Sequence, residues 1–302
     1  MSTKLLHIDN PFEKDQEAEE ALQDTLVELK NDPLVYDRIA ALSLTKNEVK
    51  EGIATLIEFQ KDFHVCENCP GLANCPKDHA GYQMDIVRLR GKLQPSFSPC
   101  RLLEEYERER AKYAIRDFPE EWLKKGLRDI EHSSSTRNPL LKNMLSILKG
   151  KSAEWLFVKG DKKMGKSFVL ACFANEYAAK NPGVAFINTR EVFNTLKMQS
   201  IGRGEKGKFA RNMDLLCTCP LLVFDDFGLA FQSAYVFETI LSPIIKARNE
   251  AGLLTAFSSV SSLDSIASGY KKKVDADTVN SLFSIIKKKV KTYDITGVAL
   301  YS

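Results

Sequence analysis

One segment constrains the fold of this chain more than any other feature, and it reads Gly160-Asp161-Lys162-Lys163-Met164-Gly165-Lys166-Ser167. It matches the pattern G-x-x-x-x-G-K-[ST], in which a glycine-rich loop wraps a phosphate chain in backbone N–H groups. The apolar residues before it predict a buried strand, and the amphipathic residues after it predict a helix. At a helix N-terminus, unpaired N–H groups and the helix dipole favour phosphate. The sequence therefore predicts a nucleotide-binding site here.

Two side chains of this loop have predicted roles in binding and chemistry. Lys166 would reach the β- and γ-phosphates, and Ser167 would place its hydroxyl on Mg²⁺. The full set of residues that we assign to nucleotide binding is Gly160, Asp161, Lys162, Lys163, Met164, Gly165, Lys166, Ser167 and Asp225.

A second segment, residues 221–226, is an apolar run that ends in two carboxylates. It predicts a buried strand that delivers Asp225 to Mg²⁺, together with Ser167 and partly through water. Asp226 is placed to orient or deprotonate an attacking water, so Asp226 and Lys166 are the predicted catalytic residues. Adjacent carboxylates repel, and a cation near them is expected. Ser258 or Ser259, at the tip of a later strand, is a candidate contact for the γ-phosphate or the water.

The region that holds both segments alternates strands with helices, which predicts an α/β fold with a parallel sheet covered on both faces. The predicted strands are residues 155–159, 184–188, 221–224, 253–258 and 290–295. The predicted helices are residues 139–149, 167–179, 191–198, 209–216 and 236–250.

The front of the 302-residue chain differs from this region. Leucines at helical spacing predict helices over residues 11–62, punctuated by Asn31-Asp32-Pro33. Residues 1–62 carry 14 Asp and Glu against 7 Lys and Arg, and an acidic helical surface suits a protein partner. A short hairpin is predicted over residues 86–91, then a charged helix at 102–113 and helical or irregular chain at 114–132. We expect domains at 1–62, 63–112 and 113–302.

Four of the seven cysteines lie within one short stretch: Cys66, Cys69, Cys75 and Cys100. The spacing Cys66-x-x-Cys69 lets two thiolates face one tetrahedral metal, so the sequence predicts a structural zinc site with these four ligands. His79, four residues beyond Cys75 in the spacing C-x-x-x-H, could replace one of them, and a reduced cluster without metal is the remaining alternative. The other three cysteines lie among apolar residues and suit buried thiols.

Composition excludes some classes of protein. The chain is 44% hydrophobic and 27% charged, as expected of an ordinary globular protein, and it contains no apolar run of membrane-spanning length. Its first residues have no apolar signal core, which favours a cytoplasmic location. The glycine-rich basic loop 202–208 could follow a single-stranded nucleic-acid backbone or simply be solvated. The lysine runs 271–273 and 287–289 suit solvated surface.

Taken with the acidic helical front, the motifs resemble one known family. The chain resembles the bacterial replicative helicase loaders of the DnaI type, which are relatives of DnaC. The residues that carry the resemblance are Cys66, Cys69, Gly81-Tyr82 and Cys100, then Gly160–Ser167, then Asp225-Asp226-Phe227-Gly228, and also Arg248.

The resemblance implies an AAA+ ATPase core after a helical, zinc-binding N-terminal domain. It further implies ATP, Mg²⁺ and Zn²⁺ as cofactors and a role in DNA replication. The implied partners are the DnaB-type replicative helicase hexamer, single-stranded DNA, other primosome proteins and further copies of the chain in the presence of ATP.

Three departures separate this chain from the family pattern. Ser258-Ser259-Val260 stands where the family has a polar asparagine that senses the γ-phosphate. No arginine follows Arg248, although the family carries arginines near its C-terminus, including a finger that reaches a neighbour's ATP. Because such a finger contributes orders of magnitude in rate, we expect weak or absent cooperative ATPase activity unless Lys287–Lys289 substitutes. The sequence ends shortly after its last predicted strand, so no C-terminal helical lid is expected.

Two alternatives remain beside an ATP-controlled helicase loader. One is a DNA-remodelling ATPase similar to the IstB transposase helpers, although those have no use for the acidic helices and the zinc module. The other is a degenerate nucleotide-binding adaptor without turnover, which the missing arginines favour.

Overall fold

The computed structural model of the chain describes residues 11–130, 137–202, 205–230 and 232–295. Within it the chain divides into two compact units, Met1–Glu107 and Arg108–Ser302.

Side-chain caps set the starts of two of the four helices that open the first unit. Asp32 accepts hydrogen bonds from the next two free N–H groups, and Pro33 occupies the first helical turn, so the second helix begins where the sequence predicts. Thr45 and Glu48 form a capping box at the third. The helices are α1 (Pro11–Asn31), α2 (Pro33–Ala41), α3 (Lys46–Glu51) and α4 (Ile53–Glu67).

A β-hairpin completes the core of the first unit, and its prediction is confirmed. Strands β1 (Tyr82–Leu89) and β2 (Lys92–Pro99) pair antiparallel. The two residues between them, Arg90 and Gly91, have φ of 52° and 75°, which suits the tight turns that join twisted strands. The hairpin contributes two buried apolar side chains to a core shared with the helices, made of Leu29, Val35, Leu56, Phe59, Met84 and Ile86.

The predicted helix at residues 102–113 ends early. Helix α5 (Arg101–Arg110) is followed by a short strand, β3 (Tyr113–Arg116), where the sequence predicted helical or irregular chain. The prediction missed β3 because four residues are too few to show a strand period, and because its hydrogen bonds come from a distant partner strand. Two 3₁₀ turns follow, Glu120–Trp122 and Leu127–Asp129.

The second unit is built on a six-stranded sheet in the order β3-β5-β6-β7-β4-β8, with all neighbours parallel. All five strands predicted here are confirmed to within a residue. In the described part of this unit, β3 is the only strand that the sequence did not predict. The central residues of β4–β7 are buried, which explains why these strands are apolar along most of their length, whereas β8, at one edge of the sheet, is largely exposed. The strands are β4 (Trp155–Lys159), β5 (Val184–Asn188), β6 (Leu221–Asp225), β7 (Leu254–Ser259) and β8 (Val290–Asp294).

The predicted helices of the second unit are confirmed, and two more follow β7. The predicted helix 236–250 begins as a π-helical segment, Val236–Leu241, and continues without a break into α10. Pro243 lies in the first turn of α10, directly after the π-helical segment. The helices are α6 (Asn138–Leu148), α7 (Lys166–Ala178), α8 (Thr189–Ile201), α9 (Lys206–Thr218), α10 (Ser242–Glu250), α11 (Leu263–Lys271) and α12 (Ala276–Lys289).

Arg248, which matches the family pattern, is a structural residue. It lies where the central strands of the sheet begin, whereas the carboxylates lie where β6 ends. Its side chain is 0% exposed. The guanidinium donates to the carbonyls of Leu216 (3.0 Å) and Cys219 (2.8 Å), to Leu254 and to the hydroxyl of Thr255 (3.0 Å). These acceptors lie at the end of α9 and the start of β7, so one side chain fastens α9, α10 and the sheet together.

No helix in the described ranges is both long and apolar enough to cross a membrane.

Replacing Arg248 should destabilise the second unit. In Arg248→Ala the buried carbonyls lose their donor, and each unsatisfied buried group costs about 1–3 kcal/mol, so we expect a loss of about 3 kcal/mol or more in unfolding free energy. Chemical denaturation monitored by far-ultraviolet circular dichroism measures this loss. Lys246→Ala, an exposed change on the same helix, should be neutral. Equal stability of the two variants would contradict the assignment.

Candidate functional site

The predicted phosphate loop joins β4 to α7, as a loop that binds phosphate must. Two glycines are required by its geometry. A side chain at Gly160 would come within 2.4 Å of the Ile295 carbonyl oxygen, and Gly165 has a φ of 78°, in the left-handed region. The N–H of Gly160 donates to the Ser259 carbonyl at 3.2 Å, which ties the loop to β7. The backbone is therefore shaped to present its N–H groups at the start of α7.

Lys166 is the first residue of α7 and is only 5% exposed. Its ammonium group donates to the Asp161 carbonyl oxygen at 2.8 Å, so the side chain folds back over the loop. Burial lowers the pKa of Lys166, while the nearby carboxylates, above all Asp226, act to raise it. A cation held in this way is available to a phosphate chain that lies in the loop.

The two predicted Mg²⁺ ligands are in contact. The Ser167 hydroxyl donates to Asp225 Oδ1 at 2.8 Å, which joins the start of α7 to the end of β6. The Ser258 hydroxyl donates to the same carboxylate oxygen from β7. Burial raises the pKa of Asp225, whereas the hydrogen bonds from Ser258 and Ser167 lower it. This pairing of hydroxyl and carboxylate oxygens has the hard-donor chemistry that suits Mg²⁺.

Asp226 follows the end of β6 with a φ of 52°, a conformation that aspartate tolerates better than most residues. Its N–H donates to the Ser258 hydroxyl at 2.9 Å, and its side chain lines the cavity beside the phosphate loop. The left-handed conformation turns the chain so that Asp225 stays with the sheet while Asp226 faces the cavity. The two adjacent carboxylates thus occupy different positions, as their different predicted roles require.

The serines at the tip of β7 are fully buried. Ser258 contacts both carboxylate residues, through the Asp225 side chain and the Asp226 N–H. The Ser259 hydroxyl accepts the N–H of Ser261 at 3.0 Å. Contact of either hydroxyl with a γ-phosphate stays a prediction. In the structure, Ser258 forms hydrogen bonds with both carboxylate residues.

A cavity of about 650 Å³ opens beside these groups. The lining includes residues of the phosphate loop and Asp226, and also Glu121, Trp122, Phe168 and Leu229, none of which the sequence singled out. Trp122 and Glu121 are distant in sequence from the motifs, and no local pattern marks them. The cavity is lined by Glu121, Trp122, Lys162, Lys163, Gly165, Lys166, Ser167, Phe168, Asp226 and Leu229.

The lysines considered as replacements for missing arginines lie at the end of α12. Lys287 forms an ion pair with Asp264 of α11 at 2.5 Å, and Lys288 and Lys289 are exposed. Val279 and Leu282, in the stretch where the resemblance led us to expect arginine, are buried in the core. That stretch therefore supplies packing, and whether the lysines act on a neighbour's nucleotide stays a prediction.

The four clustered cysteines line one cavity of about 170 Å³ at the end of α4 and the base of the hairpin. Hydrogen bonds from the N–H groups of Lys77 and Gly81 lower the pKa of the Cys75 thiol. His79 is not among the residues that line this cavity; its ring contacts Phe97 edge-on at 5.9 Å. Within the described residues, no group of three or more His, Cys, Asp or Glu side chains is arranged to hold a metal ion. The zinc site stays a prediction.

The predicted basic loop 202–208 is shorter than the sequence suggested. Helix α9 begins at Lys206, so the last three of its residues are helical. Arg203 and Gly204 lie outside the described residues.

Comparison with known proteins gives one sequence relative and a consistent fold. No family model matches the chain. The chain is 22% identical over 229 residues to the replicative helicase loader DnaI of Bacillus subtilis (strain 168). The aligned region covers 72% of this chain and 71% of DnaI. This chain is a divergent relative of DnaI-type helicase loaders.

Solved structures show the fold of this DnaI relative. A crystal structure of DnaI matches 61% of the chain and 97% of its own length, with a TM-score of 0.53 and 23% identity. A provisionally assigned primosome component from Streptococcus pyogenes serotype M3 matches 62% of the chain and 94% of its own length, with a TM-score of 0.50 and 19% identity. The α/β fold, with its parallel sheet and flanking helices, is therefore the fold of these solved structures.

Removal of the Lys166 ammonium group should abolish ATP binding. We expect Lys166→Ala to lower the affinity for ATP at least a hundredfold, because the buried cation that would contact the phosphates is lost. Isothermal titration calorimetry with Mg²⁺ measures the affinity. Lys180→Ala, an exposed change beyond the far end of α7, is the matched control and should bind like the wild type. Unchanged affinity in Lys166→Ala would remove the site from this loop.

Proposed function

We propose that this chain is an ATP-dependent loader that binds the DnaB-type replicative helicase hexamer and single-stranded DNA, and assembles the helicase at replication origins or forks. The observation that carries the proposal is the phosphate-loop cavity, with its Ser167–Asp225 contact, in a chain similar to DnaI over most of its length. A cytoplasmic location and contacts with other primosome proteins belong to the same proposal.

The nucleotide chemistry rests on residues already in place. The N–H groups of residues 160–165 and the ammonium of Lys166 would hold the phosphates, and Ser167 with Asp225 would hold Mg²⁺. Bound Mg²⁺ offsets the negative charge of the phosphate oxygens. Asp226 faces the cavity and would orient the attacking water or accept its proton.

ATP hydrolysis by this chain should be slow. Arginine fingers stabilise the charge of the transferred phosphoryl group and raise rates by orders of magnitude. No arginine follows Arg248 in the sequence. Arg248 itself is buried near the start of β7, at the end of the strands away from the phosphate loop. ATP would then act chiefly as a ligand whose binding controls assembly, with turnover as a slow reset.

The first unit is the proposed site of helicase binding. Residues 1–62 carry 14 Asp and Glu against 7 Lys and Arg in a chain whose net charge is +3, and acidic residues of α1 such as Glu19, Glu20 and Asp24 are exposed. A zinc ion held by the four clustered cysteines would stabilise the base of its hairpin, and the donor chemistry fits this role because all four cysteines line one small cavity. Single-stranded DNA would contact the basic segments of the second unit.

A nucleotide-binding adaptor without turnover is the second candidate, favoured by the absence of arginine beyond Arg248. A steady-state ATPase assay with helicase and single-stranded DNA separates the two. Slow turnover that rises with either partner indicates a loader, and turnover below detection under all conditions indicates the adaptor.

The helicase interaction is tested directly by native mass spectrometry of the full chain with its cognate replicative helicase hexamer, with and without ATP. We expect a stable complex that depends on the first unit, since residues 108–302 alone should not form it. A complex that forms equally well without the first unit would contradict the placement of the contact. Absence of any complex under either condition would reject the loader function and favour a DNA-remodelling ATPase with another partner.

Zinc removal should loosen the first unit selectively. We expect about one zinc per chain by mass spectrometry of metals, and faster amide hydrogen exchange in residues 63–100 after chelation, with the melting of the second unit unchanged. Cys66→Ser should lose the metal, whereas Cys217→Ser, a half-buried cysteine outside the cluster, should keep it. The zinc site would be contradicted if protein purified without zinc showed slow amide hydrogen exchange in the hairpin.

A further inference from the structure

The part of the cavity lining that includes Trp122 comes from a segment that precedes the phosphate loop by some forty residues. Residues 117–130 run from β3 through two 3₁₀ turns, and the first of these turns ends in Trp122. The Trp122 ring packs edge-on against Phe168, with ring centroids 5.4 Å apart. Phe168 is itself in the first turn of α7, so this aromatic pair borders the loop that would hold phosphate.

One side chain of α7 fastens this segment. The Asn175 amide nitrogen donates to the carbonyl oxygens of Trp122 and Lys125, both at 2.7 Å. Its amide oxygen accepts the hydroxyl of Tyr113, from β3, at 2.5 Å. Both donor hydrogens of the amide and one acceptor site are thus used on three residues of a single chain segment.

A second contact supports the first from the next residue of α7. Glu176 accepts the N–H of Leu127 at 2.7 Å, beyond Lys125 in the segment. Asn175 lies nine residues after Lys166, which is about 13 Å along the helix axis. The segment is therefore anchored well away from the phosphate loop, while its Trp122 lines the cavity beside that loop.

We propose that the Trp122 side of the cavity receives the base of the bound nucleotide, and that Asn175 is the positioning residue that holds Trp122 there. The inference rests on the proposed nucleotide binding and adds where the base lies. An aromatic face offers stacking to any nucleobase, whereas the loop, Lys166 and Asp226 can recognise only phosphates and their metal. Asn175 touches no ligand and acts through the backbone carbonyl of the residue that does.

The test compares a ligand that has a base with one that lacks it. Affinities for ATP and for inorganic triphosphate, each with Mg²⁺, are measured by calorimetry on the full chain. In the wild type ATP should bind at least tenfold more tightly than triphosphate. Trp122→Ala and Asn175→Ala should each weaken ATP about tenfold and leave triphosphate within twofold. Trp122→Phe, which keeps an aromatic face, should recover most of the ATP affinity.

Two further variants separate positioning from general stability. Asn175→Asp keeps the acceptor for Tyr113 but loses the two donated bonds, so it should behave like Asn175→Ala. Tyr113→Phe loses only the third bond and should bind ATP within about threefold of the wild type. Because both replacements are conservative in size, they keep the test valid if Asn175→Ala fails to fold.

The failures are distinguishable. Wild-type protein that binds neither ATP nor triphosphate would reject nucleotide binding itself, and the inference with it. Wild-type protein that binds both equally well, or variants that weaken both ligands equally, would overturn the base contact alone. A loss of ATP affinity in Trp122→Ala with none in Asn175→Asp would overturn the positioning role.

Discussion

The buried carboxylate of Asp225 is the interaction on which the site depends. It accepts hydroxyl hydrogen bonds from Ser167 at the start of α7 and from Ser258 at the end of β7, and it closes β6 itself. Thr189, at the start of α8, donates to its backbone carbonyl at 2.6 Å. A buried carboxylate is costly unless hydrogen-bonded, so these partners fix its position. Four elements therefore meet at one residue, at the carboxyl edge of a parallel sheet where ligands of such folds bind.

The sequence predicted this arrangement well because its signals are local. Each central strand is a short apolar run, buried on both faces, and the phosphate-loop pattern sits between one such run and a helix. The same reasoning missed β3, which is four residues long and is defined only by its pairing with β5. It also missed Trp122, because that residue enters the cavity through hydrogen bonds with Asn175, which is distant in sequence. Contacts of this kind leave no period or motif to read.

Arginine and cysteine show the same limit in another form. Arg248 matches the family pattern by residue type, and the structure shows its guanidinium donating to backbone carbonyls near the start of β7. A side chain with five donors can satisfy a cluster of buried carbonyls as well as a phosphate, and only its position tells the two uses apart. For the clustered cysteines, spacing brought all four to one cavity, although their arrangement as metal ligands is not seen in the described residues.

Strand β3 has a consequence for how the second unit can be handled and how it folds. β5 is wholly apolar at its centre, and without β3 it would be the outermost strand, with unpaired N–H and C=O groups along an open edge. Such an edge is a template for pairing between chains, and therefore for aggregation. The N–H groups of Gly183 and Val184 also donate to the Lys112 carbonyl, at 2.8 and 3.2 Å. A fragment that begins after Arg116 would expose this edge, whereas one that begins before Lys112 carries its own protective strand.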